Sequence, residues 1–444
     1  MNLKKFLVIF VVTVLTIIQP IRVNALNARD ISNIARDITV KVIQVETGNN
    51  GSGVIIERQE NTYSVLTSYH IAEEDGAYQI QTFDDIKHQV EYKQIFSGLD
   101  LMILTFNSSE EYTIADLGNS DDVVPLQTVF VASYPTVQSV LDLTSGKIRS
   151  IREDILINPE KNEGYAFVYS NNTLLGSSGG AVIDEKGYLI AINGAAERDI
   201  TTGRNISLGI PINLFLSALD AKQQDQLEEA ERRDALEEKL LANSYDNQLS
   251  LNENAEEITV KISGHSNGSG VIFLQEGDIY SVVTNQHVVP IDTDYTIRTN
   301  DGIDHQAINR QEIPGLDLAI VQFASSEDYY TATLGNSEEL ELVQPVYVAG
   351  FPGEQTNLRI DDGKIATIKQ DVLQNPLAEE GYALEYDNNT LSGSSGGAVL
   401  DEEGILMGIN GEADFDPQTG GKISQGIPIN LFIDAWIELN LKSN

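Results

Sequence analysis

The sequence predicts an all-β protein made of two tandem copies of one domain, joined by a charged helix. Two observations carry this reading. First, short segments rich in Val, Ile, Tyr and Thr alternate with turn residues at close intervals, the pattern of strands in a barrel or sandwich. ITVKVI, SGVIIER, YSVLTSY and LDLMILTF in the first half are answered by ITVKI, SGVIFL, IYSVVTN and LDLAIVQF in the second. Second, the heptapeptide GSSGGAV starts at Gly176 and again at Gly393, 217 positions on. The same offset relates Asn50-Gly-Ser-Gly-Val to Asn267, Leu117-Gly-Asn-Ser to Leu334, and Gly209-Ile-Pro-Ile-Asn-Leu-Phe to Gly426. A period this long means two whole domains, not a solenoid of small units. Earlier the offset is 220, pairing Ile38-Thr-Val-Lys with Ile258, so the first copy has a loop three residues longer before Gly51.

In chain order, residues 1–25 read as an export signal. Lys4 and Lys5 precede an apolar run from Phe6 to Ile18, and Val23-Asn24-Ala25 fits a small-x-small cleavage site. The run is short for a membrane span, so cleavage is favoured over an uncleaved anchor. No later segment is apolar enough to cross a bilayer. Residues 26–219 form domain 1 and 256–444 domain 2, each ending in a short helix. Between them, 220–255 is rich in Glu, Lys, Ala and Leu and has no Gly or Pro. Residues 212–242 read as the closing helix of domain 1 running into a solvated linker helix. Its apolar positions (Leu219, Leu227, Ala230, Leu240, Leu241) are too few to specify a coiled coil.

The 444 residues carry a formal net charge of −39. Removing residues 1–25 takes away Lys4, Lys5 and Arg22 and no acid, leaving the chain more acidic still. This excludes the basic footprint that nucleic acids require and argues against docking on anionic lipid. It fits an exported protein, secreted or periplasmic, and the absence of cysteine fits a bacterial one held together by core packing alone.

A serine in a Gly-x-Ser-x-Gly frame suggests a nucleophile. In an α/β-hydrolase elbow the acid and histidine follow the serine. Here the five histidines are His70, His88, His265, His287 and His305, and none follows Ser395 or lies between Ser178 and the linker. The opposite order, His then Asp then Ser, fits both copies. His70 lies in LTSYHIA, Asp100 in GLDLMIL and Ser178 in GSSGGAV. His287 lies in VTNQHVV, Asp317 in GLDLAIV and Ser395 in the second GSSGGAV.

These motifs resemble those of trypsin-like (chymotrypsin-fold, S1) serine peptidases. The cysteine-free bacterial branches are the most similar, namely glutamyl endopeptidases and the protease domain of HtrA/Deg proteins, here with no room for a PDZ domain. The resemblance covers roughly residues 36–219 and 256–438. It implies two β-barrels per domain with the site in the cleft between them, serine-type endopeptidase activity on protein or peptide substrates, and no cofactor or metal. Ser178 and Ser395 would be nucleophiles, His70 and His287 bases, and Asp100 and Asp317 their orienting partners. The backbone N–H groups of Gly176 with Ser178, and of Gly393 with Ser395, would form oxyanion holes. Where family members activated by cleavage carry Asp before the serine, this chain has Ser177 and Ser394, so no such switch is expected.

By the same resemblance Asn172 and Asn389 would sit at the base of the specificity pocket. Asn193, Gly194 and Ala195, and in domain 2 Asn410, Gly411 and Glu412, would form its wall. Neither cleavage after Lys/Arg nor cleavage after Glu is supported by these residues. Tyr69 before the histidine and Met102 after the aspartate are bulkier than usual and are expected to disturb the domain 1 geometry. His88 and His305 repeat but have no second ligand nearby and read as strand residues; His265 reads as loop. A peptide-binding scaffold of degenerate protease domains, with only domain 2 or neither catalytic, or an esterase, are the alternatives.

Overall fold

The structure, a computed structural model, describes residues 24–74, 76–137, 140–198, 205–242, 249–353, 355, 357–415 and 422–442. The signal-peptide reading thus falls almost wholly outside the described residues. The chain divides into two compact units between Gln226 and Leu227.

The first unit opens with a helix the sequence reading did not place, α1 (Ala28–Ile38). Asn27 caps it by accepting from the backbone N–H groups of Arg29 and Asp30, and Ile31, Ala35 and Ile38 bury one face. Seven strands follow: β1 (Thr39–Gln44), β2 (Asn50–Gln59), β3 (Thr62–Thr67), β4 (Tyr78–Gln81), β5 (Lys87–Gln89), β6 (Tyr92–Phe96) and β7 (Leu101–Asn107). They form one antiparallel sheet in the order β5-β4-β1-β2-β3-β7-β6. Its two edge strands, β5 and β6, are consecutive along the chain. Val40, Val42, Ile55, Tyr63, Val65, Met102, Leu104 and Phe106 fill its interior.

The next six strands close a barrel, where the first seven form an open sheet: β8 (Thr128–Ser133), β9 (Asp142–Ile151), β10 (Phe167–Tyr169), β11 (Ala181–Asp184), β12 (Leu189–Arg198) and β13 (Asn205–Pro211). A short helix, α2 (Glu153–Ile157), and a 3-10 turn, Pro159–Asn162, lie between β9 and β10. The helix α3 (Ile212–Ala242) starts directly after β13, where the sequence predicts a helix. Its Phe215 packs edge-on against Phe96 at 5.2 Å, a burial contributing about 2 kcal/mol.

The second unit repeats this plan. Leu240, near the end of α3, is buried in its core with Phe432 and Trp436, whereas Leu227 is 52% exposed. α4 (Leu251–Ile258) carries a capping box from Ser250 and Glu253. Residues 251–255, read from sequence as the end of a charged helical linker, are helical as part of α4, and Ala255 joins the core. One closed barrel comprises β14 (Thr259–Ser263), β15 (Asn267–Glu276), β16 (Ile279–Thr284), β17 (Thr296–Arg298), β18 (Asp304–Ile313) and β19 (Leu318–Ala324). The other comprises β20 (Pro345–Gly350), β21 (Arg359–Ile368), β22 (Leu384–Tyr386), β23 (Ala398–Leu400), β24 (Leu406–Phe415) and β25 (Lys422–Pro428). The short helix α5 (Gln370–Gln374) precedes β22, and α6 (Ile429–Lys442) closes the unit. No helix among the described residues is long and apolar enough to cross a membrane.

Candidate active site

In each unit the histidine stands in a 3-10 turn directly after a strand, β3 or β16. The aspartate directly precedes the next central strand, β7 or β19. These strands pair antiparallel, so the end of one lies beside the start of the other. Asp100 Oδ1 accepts from the His70 backbone N–H at 2.9 Å, and Asp100 Oδ2 lies 2.6 Å from His70 Nδ1. In the second unit the corresponding distances, Asp317 to His287, are again 2.9 and 2.6 Å. The expected disturbance in the first unit is therefore absent from this pair. Met102 turns into the barrel core, opposite Thr67, and leaves the aspartate alone. The aspartates are 5% and 4% exposed. The hydrogen bond to Asp100 holds the His70 pKa above the ordinary histidine value; burial opposes it, and the charges of Asp100, Glu163 and Glu73 reinforce it. His287 is raised likewise, first by its bond to Asp317, with Glu412 and Glu380 adding charge.

The serines lie in the loop before β11 or β23. Ser178 Oγ donates to Gly194 O at 2.7 Å and Ser395 Oγ to Gly411 O at 2.9 Å. Gly194 in turn abuts Tyr165, whose hydroxyl donates to Asp100 Oδ2. Serine, aspartate and histidine thus belong to one contact network, although they come from different barrels.

The backbone around each serine is held by its carbonyls. Thr136 N donates to Leu175 O at 2.8 Å, and Gly353 N to Ser392 O at 2.7 Å. In a trans peptide C=O and N–H point in opposite directions. The bond therefore aims the N–H of Gly176, or of Gly393, away from that loop. Ser177 O accepts from Asn193 Nδ2 at 2.8 Å and Ser394 O from Asn410 Nδ2 at 2.9 Å, which orients the N–H of Ser178 and Ser395 in the same way. None of these four N–H groups has a partner among the described hydrogen bonds. Gly176 has φ 91°, and a Cβ there would lie 2.5 Å from Thr136 N, so no other residue fits.

A family model described as a trypsin-like peptidase domain matches residues 51–192 and again 268–409. The chain belongs to the trypsin-like peptidases. Two Staphylococcus aureus proteins described as "Serine protease HtrA-like" are 30% identical (strain bovine RF122 / ET3-1) and 29% identical (strain USA300) over 179 residues. Each match covers 38% of this chain and 23% of the relative's own length. A solved structure described as an HtrA-type protease with decapeptide aligns at 21% identity and a TM-score of 0.33. That alignment covers 41% of this chain and 64% of the other.

Within this trypsin-like frame the predicted specificity residues separate. Asn172 and Asn389 are exposed. Their neighbours Asn171 and Asn388 are buried, and Asn171 donates to Val129 O and Thr144 O. Asn193 and Asn410 line no pocket wall: each is 1% exposed. Each accepts a tyrosine hydroxyl on Oδ1, from Tyr169 or Tyr386, at 2.8 Å. Their amides face inward because the strand alternation at that point turns the side chain into the barrel. Gly194 and Gly411 present carbonyls to the serines, Ala195 packs partly buried at the core edge, and Glu412 is exposed.

Two further groups of serines support the site, in roles the sequence reading did not assign. The hydroxyl of Ser52 donates to Gly176 O at 2.9 Å and accepts from Tyr134 N at 2.8 Å. Ser269 does the same with Gly393 O and Phe351 N. These serines of the repeated Asn-Gly-Ser-Gly motif tie the first barrel to the serine loop of the second. Ser177, before Ser178, is buried and bonded to Ser133 Oγ at 2.9 Å. His88 and His305 pack against Phe106 and Phe323 in tilted pairs at 4.6 and 4.7 Å and bond to the hydroxyls of Tyr112 and Tyr329. They are thus half-buried packing groups rather than simple surface strand residues. No metal-binding cluster occurs among the described residues.

Proposed function

We propose that this chain is an exported serine endopeptidase that hydrolyses peptide bonds in each of its two domains. The carrying observation is the twofold recurrence of one arrangement. A buried Asp is bonded to a His at 2.6 Å, and a serine stands beside two backbone N–H groups that have no partner among the described hydrogen bonds.

In the proposed reaction the Ser178 or Ser395 hydroxyl proton turns from the glycine carbonyl to His70 or His287 Nε2 as Oγ bonds to the peptide carbonyl carbon. Asp100 or Asp317 holds the tautomer that keeps Nε2 unprotonated and stabilises the imidazolium. The carbonyl oxygen takes the displaced electron pair beside the N–H groups of Gly176 and Ser178, or of Gly393 and Ser395. One such donor is worth about 3 kcal/mol in the transition state. The imidazolium then protonates the leaving amine and the C–N bond breaks; water takes the amine's place, gives a proton to the histidine as its oxygen bonds to the acyl carbon, and the acyl C–Oγ bond breaks with Oγ regaining the proton. Export to the periplasm or the medium is supported by the composition of residues 1–25.

The test is fluorophosphonate labelling read by intact mass, on the wild type and on Ser178→Ala and Ser395→Ala. Two labels on the wild type and one on each variant are expected. A folded protein that takes no label at either serine would overturn the enzyme and leave a peptide-binding scaffold.

A further inference from the structure

In each domain a tyrosine hydroxyl that no motif marks is seated on the aspartate. Tyr165 Oη donates to Asp100 Oδ2 and Tyr382 Oη to Asp317 Oδ2, the same oxygen that takes the imidazole Nδ1. Each ring is 5% exposed.

The backbone before each tyrosine is bent to bring it there. After the turn Pro159–Asn162, Glu163 (φ 49°) and Gly164 (φ 84°) are both left-handed, and in the second domain so are Glu380 (φ 50°) and Gly381 (φ 91°). A left-handed glutamate is uncommon and persists only where its surroundings fix it. Here the bend puts Glu163 O on Asp100 N at 3.0 Å and Glu380 O on Asp317 N at 2.9 Å. The same residues that deliver the ring thus also hold the aspartate backbone.

The other side of the ring meets the serine's partner. A Cβ on Gly194 would lie 2.1 Å from Tyr165 Oη, and one on Gly411 would lie 2.3 Å from Tyr382 Oη. The residue whose carbonyl receives the serine hydroxyl is glycine because the tyrosine fills its side-chain space. One ring therefore touches the aspartate of one barrel and the serine's carbonyl partner of the other. In the second domain Asn285 Nδ2 also approaches Tyr382 Oη at 3.4 Å. Burial first, and the neighbouring aspartate next, push both phenols above their ordinary range, so they remain donors.

We propose that Tyr165 and Tyr382 are positioning residues that fix the rotation of Asp100 and Asp317 and withdraw charge from Oδ2, and so set the basicity of His70 and His287. The catalytic consequence rests on the peptidase reading above; the effect on the imidazole does not. The charged groups facing His70 are Asp100, Glu163 and Glu73, and those facing His287 are Asp317, Glu412 and Glu380.

The test compares full-length Tyr165→Phe and Tyr382→Phe with the wild type. Phenylalanine keeps the ring beside the glycine and removes only the donor. Two readouts are taken: the imidazole pKa by NMR titration, assigned with His70→Gln and His287→Gln, and the rate of fluorophosphonate labelling against pH. A carboxylate with one donor fewer pulls harder on the imidazolium. The histidine of the altered domain is therefore expected to titrate higher. Labelling at its serine at neutral pH should fall about tenfold to a hundredfold, the range for a lost hydrogen bond to a charged group. The other domain should be unchanged. Fluorotyrosine at the same position, a stronger donor on the same ring, should move the histidine the opposite way; this arm decides the matter if the phenylalanine variant folds poorly. An unchanged histidine pKa in both arms would overturn the proposal. A shifted pKa in a protein that labels at neither serine would uphold the positioning and remove the peptidase instead.

Discussion

Asn410 separates a pocket wall from a support of the oxyanion site. It is 1% exposed, donates to Ser394 O at 2.9 Å and accepts from Tyr386 Oη at 2.8 Å. Replacing it by leucine, close to it in size, removes both bonds and leaves the tyrosine hydroxyl without that acceptor in a buried site. A buried hydrogen bond contributes about 1 kcal/mol and an orphaned polar group costs about 1–3 kcal/mol, so the second domain should lose about 2–3 kcal/mol. Ser394 O would retain only Gly397 N, at 3.0 Å, and the Ser395 N–H would lose one of its two anchors. The full worth of an oxyanion donor, about 3 kcal/mol, bounds the catalytic cost. A loosened donor should lower kcat about tenfold to a hundredfold for every substrate alike. The assay is turnover of a panel of peptides varied at the residue before the scissile bond, in a Ser178→Ala background so that only the second domain is read. Denaturant unfolding gives the stability change. An unchanged kcat with a reordered preference across the panel would refute this and restore Asn410 to the pocket wall.

Other consequences follow from the same contacts. Because both histidines are raised above about 6.5 and in the proposed reaction they must be neutral to act as bases, kcat/KM should rise with pH through a midpoint above 6.5; a midpoint below it would mean that burial outweighs the aspartate. By linkage, the stability these histidines contribute is complete below about 6.5 and is lost as pH rises through their higher folded values. Ser269→Ala removes the bonds to Gly393 O and Phe351 N from a fully buried site. It should destabilise the second domain by about 2–4 kcal/mol in denaturant melts, and a change under about 0.5 kcal/mol would contradict the tie.

The two strained glutamates show what that support costs. A left-handed non-glycine residue is disfavoured by about 1–2 kcal/mol, yet Glu163 and Glu380 both adopt it, each followed by a glycine and then by the tyrosine on the aspartate.

The sequence by itself determined the duplication, the all-β class, the closing helix from residue 212, and the order His70, Asp100, Ser178 with its repeat. Each of these is written in residues close together in the chain: alternating strand patterns, a constant offset, and motifs of a few residues around each reactive group. It missed α1, because a helix held by three apolar contacts leaves little periodic signal beside a strand. Only the tertiary structure decided the parts that depend on distant residues meeting. Tyr165 reaches Asp100, Asn193 turns inward to Ser177 instead of outward to a pocket, and Ser52 clasps Gly176 across the barrels. A buried tyrosine, an inward asparagine and a strand serine look in sequence like ordinary core and strand residues. Their roles come from which polar atoms the closed barrels leave facing one another, and burial then requires those atoms to pair.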